Sequence, residues 1–355
     1  MVSVESEGVA VFAEQRHELI LREVRERGSV RLAELVDRLN VSMVTLRRDV
    51  EHLAGQGLVN RVHGGITRPE SVPAPARERT LTIGMLVPSA TYYYPAVIKG
   101  AREQAERLGA RLVLGVSRYD DEEDRTQVRQ LVDGGSEGLL LTPSRQPDAS
   151  HEEWLADLGV PAVLVERRAE LGGPASLLDA AASHHAHGAF LGARHLAGLG
   201  HRRLAMVSRD SPTAPRVRHG FLAAVRDLGL EEPVHLGVEQ EGPSREQVAD
   251  VVAAIRGGVT ALLVHNDEDT LLLVQHLRMA GVRIPDEVSL VAYDDEVAAL
   301  SDPPLTAVAP PKGAVGRCAV DLLVRRIQEG PGRPAQHVAL LPELRVREST
   351  AAPRS

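Results

Sequence analysis

The chain has 355 residues, 43% of them hydrophobic, and a formal net charge of -8, a length that predicts two or three compact units rather than one. No N-terminal run has the basic, apolar, small-residue order of a secretory signal. No stretch approaches the roughly 18 apolar residues of a membrane span, so a cytoplasmic protein without a membrane anchor is expected. Cys318 is the only cysteine, which excludes an internal disulfide and a cysteine-based zinc site within one chain.

In chain order, "EQRHELILREVRERG" (14–28) places Leu19, Ile20 and Val24 at helical spacing and ends on glycine, predicting a first helix. "VRLAELVDRLN" repeats the pattern over a shorter span. Asn40 and Val41 supply a turn before Ser42, which is expected to cap a third helix, "SMVTLRRDVEHLAGQG". Val44, Leu46, Val50 and Leu53 are expected to face inward. Ser42, Met43, Thr45, Arg47 and Arg48 fall at or near the N-terminal half, where a recognition helix needs a polar, basic face. After Gly57, "LVNRVHGGITR" alternates about Gly64 and Gly65 and predicts a hairpin. Three helices and a hairpin make a winged helix-turn-helix. From 41 to 68 four arginines (Arg47, Arg48, Arg61, Arg68) oppose Asp49 and Glu51. An acidic chain thus holds a locally basic segment, and a nucleic-acid site needs only local sign and shape.

The run "LAELVDRLNVSMVTLRRDVEHLAGQGLVNRVHGG" resembles the DNA-binding domain of the DeoR family across nearly all of residues 14–68. The resemblance implies that Ser42, Met43, Thr45, Arg47 and Arg48 approach DNA, and that Arg61 and His63 set the wing on the backbone or minor groove. Which arginine reads a base stays open.

Residues 69–80, within "RPESVPAPARERT", carry Pro69, Pro73 and Pro75 without an apolar face and are read as a linker. Beyond it, short apolar runs such as "LTIGMLVP", "RLVLGVS", "GLLLTP", "PAVLVE", "RRLAMVS", "TALLVH" and "VSLVAYDD" alternate with helical stretches, predicting a parallel-sheet α/β unit. Ligands in such sheets sit beyond the carboxyl ends of the strands. Three of the five tyrosines, Tyr92, Tyr93 and Tyr94, follow the first of these strands. Glu166, Asn266 with Asp267, and Asp294 with Asp295 follow later ones. Rings and hydrogen-bonding groups of this kind suit a polyhydroxylated ligand.

The segments "IGMLVP", "HLAGLGHRRLAMVS", "GFLAAVRDLGL", "VHNDEDT", "VRIPDEVSLVAYDD", "PPLTAVAPPKGAVGRCAVDLL" and "LPELRVREST" occur in an order similar to the LacI-family sensor and its periplasmic sugar-binding relatives, spanning 81–350. The resemblance implies two α/β lobes joined by three crossings, about 81–180 plus 303–335 and 181–302 plus 336–350, with an effector between them. It points to Ser89, Tyr93, Tyr94, Glu166, Asn266 and Asp294 as effector contacts. The family's sugar-binding arginine falls at Val217, so Arg216 or Arg218 takes that role. The family's minor-groove hinge helix is replaced by the proline-bearing linker.

"GGSEG" (134–138) matches a hydrolase elbow in letters only, because a helix precedes Ser136 and a strand follows it, the reverse of what the elbow requires. "SHHAHG" puts His184 and His187 on one face without a third metal ligand, and "DDEEDRTQ" lacks the spacing and central glycine of a cation loop. No metal, cofactor or enzymatic activity is expected. The sequence therefore predicts a homodimeric transcription regulator, a repressor by family habit, that binds palindromic operator DNA and a sugar-like effector. A nucleoside or sugar phosphate is the alternative effector, although the acidic Glu166 and Asp294 would repel phosphate. A solute-binding protein without DNA function is the alternative of another class.

Overall fold

The computed structural model describes residues 13–62, 64–68, 80–146, 153–169, 172–239 and 242–354. They form an N-terminal head and a C-terminal sensor. The expected linker, apart from Thr80, lies outside the described residues.

The head runs α1 (Ala13–Arg27), β1 (Ser29–Arg31), α2 (Leu32–Leu39), α3 (Met43–Gly55), β2 (Asn60–Val62) and β3 (Gly65–Thr67). Asn40 takes the left-handed conformation (φ 50°) that ends α2, a geometry asparagine tolerates better than most residues. Ser42 caps α3 as expected, its Oγ accepting the Thr45 amide at 3.1 Å. Ile20, Leu35, Leu46, Leu53 and Ile66 are fully buried and form the head's core. The three strands pair antiparallel in the order β1-β3-β2. β1 corrects the sequence reading, which ran a helix through Val30 and Arg31. Three residues are too few for a period-two pattern to stand out, and Val30 pairs opposite Ile66 of the wing.

A second correction concerns Val44. Leu46, Val50 and Leu53 point inward as expected, but Val44 is 78% exposed. It stands two residues before Leu46, which is about 200° around a helix and therefore on the opposite face.

In the sensor, one six-stranded sheet has the order β14-β8-β7-β6-β4-β5 and a second the order β10-β9-β11-β12-β13-β15. The first comprises β4 (Thr82–Val87), β5 (Arg111–Val116), β6 (Gly138–Leu141), β7 (Ala162–Val165), β8 (Asp179–Ser183) and β14 (His337–Leu340). The second comprises β9 (Leu204–Arg209), β10 (Val234–Val238), β11 (Ala261–His265), β12 (Ser289–Tyr293), β13 (Thr306–Ala309) and β15 (Glu343–Arg345). All pairs are parallel except β13 with β15. Helices α4 (Tyr94–Arg107), α5 (Asp121–Asp133), α6 (Glu153–Ala156) and α11 (Lys312–Glu329) accompany the first sheet. Helices α7 (His185–Gly198), α8 (Ala214–Asp227), α9 (Arg245–Arg256) and α10 (Asp267–Met279) accompany the second.

The chain crosses between sheets after β8, after β13 and between β14 and β15. These crossings shift the expected lobe limits. Residues 306–309 belong to the second lobe and 337–340 to the first, because the four-residue strands β13 and β14 carry too little pattern to reveal their sheet. β8, "DAAAS", was missed for a related reason. Alanine has little strand preference, yet every residue of this strand is buried.

Two of the motifs set aside in the sequence resolve into local structure. Asp120 caps α5, its Oδ1 accepting the amides of Glu122 and Glu123, where the helix dipole favours acids. Ser136 is buried between α5 and β6, the helix-then-strand order that the sequence predicted.

Candidate DNA-reading face and effector cavity

Arg47 and Arg48 are both exposed on α3, beside exposed Ser42 and half-buried Met43 and Thr45. Thr45 is oriented by its cap, its hydroxyl lying 2.8 Å from Ser42 Oγ. The acid that the sequence set against these arginines faces the other way. Asp49 is only 6% exposed and accepts Arg16 Nε at 2.9 Å and Nη2 at 3.3 Å, with His17 Nε2 3.0 Å from Oδ1. The outward surface is therefore more basic than a residue count suggests. Arg61 is exposed on β2 and pairs with Glu51 at 3.1 Å, an exposed pair that a phosphate can displace at little cost. His63 lies outside the described residues. Exposed Val44, which pattern reasoning assigned to the core, adds an apolar group to this face.

In the sensor a cavity of about 490 Å³ opens at the carboxyl ends of β6, β7, β8 and β9, where doubly wound sheets place their ligands. Gln146, Arg168 and Ser183 line it from the first lobe; His184 and His185 lie at the crossing; Arg216 and His219 come from α8 of the second. Arg216 spans the lobes. Its Nη1 donates to Gln146 Oε1 at 3.0 Å and its Nη2 to the Arg168 carbonyl at 3.4 Å, while Gln146 Nε2 donates to that same carbonyl. Burial, and next the neighbouring guanidinium groups of Arg168 and Arg167, lower the Arg216 pKa; Glu166 pulls it back.

Of the two candidate arginines, Arg216 lines the cavity. Arg218 is exposed and stands outside the lining, where its charge helps lower the pKa of His235 on β10 after burial has done most. Val217 between them is fully buried, and consecutive helical residues point about 100° apart.

Glu166 is buried just behind the lining. Its carboxylate accepts the Ser183 amide at 2.9 Å and the Ser183 hydroxyl at 2.8 Å, with His185 Nε2 at 3.4 Å. Asn266 caps α10, its Oδ1 accepting the Asp269 amide at 3.2 Å. Asp294 is buried and its carbonyl accepts from Lys312. Neither Asn266 nor Asp294 is among the residues lining the cavity. Ser89, Tyr93 and Tyr94 follow β4; Ser89 Oγ accepts the Thr91 amide at 3.2 Å, and the rings of Tyr93 and Tyr94 meet edge to face. Tyr93, Glu166 and Asp294 share left-handed backbone (φ 64°, 53° and 88°), strain of the kind that gathers at functional sites.

The neighbouring acids serve the fold. Asp267 accepts the amides of Glu296, Val297 and Ala298, and Asp295 holds Arg345 at 2.8 Å and Arg347 at 2.7 Å.

Gln146, Arg168, His184, His185 and His219 were not assigned to the site from sequence. His184 carried a weak signal in "SHHAHG". It caps α7, its Nδ1 accepting the His187 amide at 3.1 Å, so the ring's other nitrogen, Nε2, carries the proton in the neutral form. Among the described residues no group of three or more His, Cys, Asp or Glu is placed to hold a metal ion, and no helix is long and apolar enough to cross a membrane.

His265, ending β11, is packed edge to face on Tyr293, whose hydroxyl donates to the His185 carbonyl at 2.9 Å. Burial, followed by repulsion from His185 and Arg209, lowers its pKa to about 3. The unfolded imidazole takes up a proton near pH 6.5, whereas the folded one stays neutral until about pH 3. Its contribution to stability is therefore intact above about pH 6.5 and is lost as pH falls toward 3, at about 1.4 kcal/mol per unit. The urea midpoint of the sensor should depend less steeply on pH between 6.5 and 4 in His265→Gln than in wild type. Identical slopes would show that His265 protonates without unfolding.

A winged helix-turn-helix and a two-lobed binding fold with a ligand-sized cavity define a sensor joined to a DNA reader. Residues 16–72 match the family model of the DeoR-like helix-turn-helix domain, and residues 193–350 that of the periplasmic binding protein-like domain. The chain is 26% identical over 332 residues to the arabinose metabolism transcriptional repressor of Geobacillus stearothermophilus, covering 89% of this chain and 90% of that one. It is 30% identical over 257 residues to the HTH-type transcriptional repressor PurR of Vibrio cholerae, covering 70% of this chain and 75% of the relative. In fold it is similar to a LacI family transcriptional regulator from Enterococcus faecium with bound ribose, with a TM-score of 0.63, 23% identity, and coverage of 77% of this chain and 100% of that chain. The chain belongs to the LacI family of transcription regulators, with a DeoR-like head, and is not an enzyme.

Proposed function

We propose that this chain is a repressor that works in the cytoplasm as a homodimer on a two-fold operator, and that a sugar-like effector in the sensor cavity sets its DNA affinity. The observation that carries this reading is the hydrogen bond from Arg216 of one lobe to Gln146 of the other. A ligand that takes over the Arg216 guanidinium replaces an interlobe contact and shifts the population between lobe arrangements. That differential contact is what coupling requires. Relatives named for arabinose metabolism and a ribose-bound structural neighbour support a carbohydrate effector.

On the DNA side, Arg47 and Arg48 enter the major groove from the first turns of α3, Ser42, Met43 and Thr45 fix the helix start, and Arg61 with His63 rests on the backbone or minor groove. Exposed Val44 is suited to a thymine methyl, which side chains of this kind contact. Arg48→Ala should weaken operator binding without changing effector affinity, as measured by fluorescence anisotropy across a salt series. If Arg48 meets phosphate, every sequence loses affinity and the salt slope falls by about 1. If it meets guanine, discrimination falls by about 1–3 kcal/mol at one base pair. Wild-type binding by the variant would remove Arg48 from the interface.

A further inference from the structure

We propose that the effector bears an anionic group, a carboxylate or phosphate on a polyhydroxylated body, and that Arg168 and Arg216 receive it. The inference rests on reading the cavity as the effector site and narrows the chemistry that site accepts.

Among the described residues the lining contains two arginines and three histidines but no aspartate or glutamate. Arg216 meets only neutral acceptors in its cross-lobe contacts, an amide oxygen and a main-chain carbonyl. Arg168 has a buried guanidinium nitrogen, Nη2, with no hydrogen-bond partner among the described residues. Fully buried Arg167 stands close by and spends its Nε on the Pro143 carbonyl at 2.8 Å and its Nη1 on the Glu166 carbonyl at 3.0 Å, again neutral acceptors. Among the described residues the neighbouring Glu166 carboxylate already accepts the Ser183 amide and hydroxyl, with His185 Nε2 3.4 Å away. Neither of the two arginines that line the cavity, Arg168 and Arg216, is therefore paired with a carboxylate among the described residues.

Buried cations without a matching charge are costly, and removing water makes the imbalance worse. Sugar hydroxyls can accept hydrogen bonds from arginine but bring no charge. A carboxylate or phosphate does both, and the planar guanidinium fork matches either bidentately. His184 Nε2–H adds a donor that leaves the charge unchanged. The sequence-based objection to phosphate, acidic repulsion by Glu166 and Asp294, is removed by the geometry, since neither lines the cavity and Glu166 is held by internal partners.

The test uses full-length protein and follows the thermal midpoint at constant ionic strength, titrating glucose, arabinose, gluconate, glucose 6-phosphate and inorganic phosphate against a chloride control. At least one anion should stabilise wild type beyond chloride and beyond its neutral counterpart. Arg168→Gln should weaken that binding by at least about tenfold, Arg168→Lys should restore part of it, and Arg218→Gln should leave it unchanged. Stabilisation by gluconate alone assigns a carboxylate; stabilisation by the phosphates alone assigns a phosphate. A neutral sugar that binds at least as well as every anion, indifferent to Arg168→Gln, would overturn the anionic inference and leave the effector cavity standing. Anions that match chloride also overturn it. Silence from the neutral sugars as well would count against the carbohydrate reading itself.

Discussion

Asp49→Ala is expected to abolish operator binding, although it removes a negative charge from the helix that reads DNA. Counted as surface charge, the change would tighten binding. The structure reverses that expectation, because the carboxylate points away from the arginines and into the head, where Arg16 and His17 hold it. The Asp49 and Arg16 side chains are only 8% and 13% exposed, so solvent screens the pair weakly. Burial outweighs the carboxylate and lowers the His17 pKa, leaving Arg16 as the charged partner at neutral pH. Removing the carboxylate strands that cation, and breaking such a buried pair costs about 3–5 kcal/mol. A folded unit of this size has little more stability than that to lose. Calorimetry should show the head's unfolding transition lowered or absent while the sensor's is unchanged, and anisotropy should show operator affinity lost with it. Asp49→Asn, which keeps one of the two acceptor oxygens, should be milder. Tighter DNA binding by a fully folded Asp49→Ala would place the carboxylate on the DNA-facing surface instead.

The same helix shows which features could be read in advance. Ser42, Arg47 and Arg48 were legible because capping and charge are local properties. Val44 was not, because an apolar side chain is taken as core unless its phase is tested against its neighbours, and the phase from Val44 to Leu46 is wrong for a shared face. The sensor's alternation of strand and helix was legible for strands built from branched residues. It failed at alanine-rich β8 and at the four-residue strands that decide the crossings. At the cavity, the arginine was narrowed to Arg216 or Arg218 by its distance from "GF", and the lining, which includes Arg216 and leaves Arg218 exposed outside it, decides between them. Acidic residues drew attention because carboxylates often bind sugars. Here Asp267 and Asp295 secure loop amides and arginines instead. Gln146, Arg168 and His219 come from separate segments, successively 22 and 51 positions apart, and nothing short of the fold brings them to one cavity.

Gly220→Ala should damage the sensor and its ligand site together. A methyl built at this position would lie 1.9 Å from the Ala186 carbonyl oxygen and 2.5 Å from its carbon, closer than real contacts allow. Both obstructing atoms are backbone, so no rotamer change relieves them and α8 must move away from α7. In an open helix the same substitution would be favourable by about 1 kcal/mol; an overpacked interior costs about 1–3 kcal/mol and sometimes more. Backbone collision decides the sign toward loss. Function suffers beyond stability because Ala186 and His185 line the cavity from α7, and Arg216 and His219 line it from α8. Separating these helices displaces the guanidinium that bridges to Gln146. The expected result is a lowered sensor midpoint and loss of ligand-induced stabilisation even below that midpoint. Gly198→Ala, where an added methyl meets nothing within 4 Å, should change neither. A Gly220→Ala protein that folds less stably yet keeps full ligand affinity would show that the cavity tolerates a wider α7–α8 spacing. Arg216 would then be positioned by its own contacts with Gln146 and Arg168, and not by the helix pair that carries it.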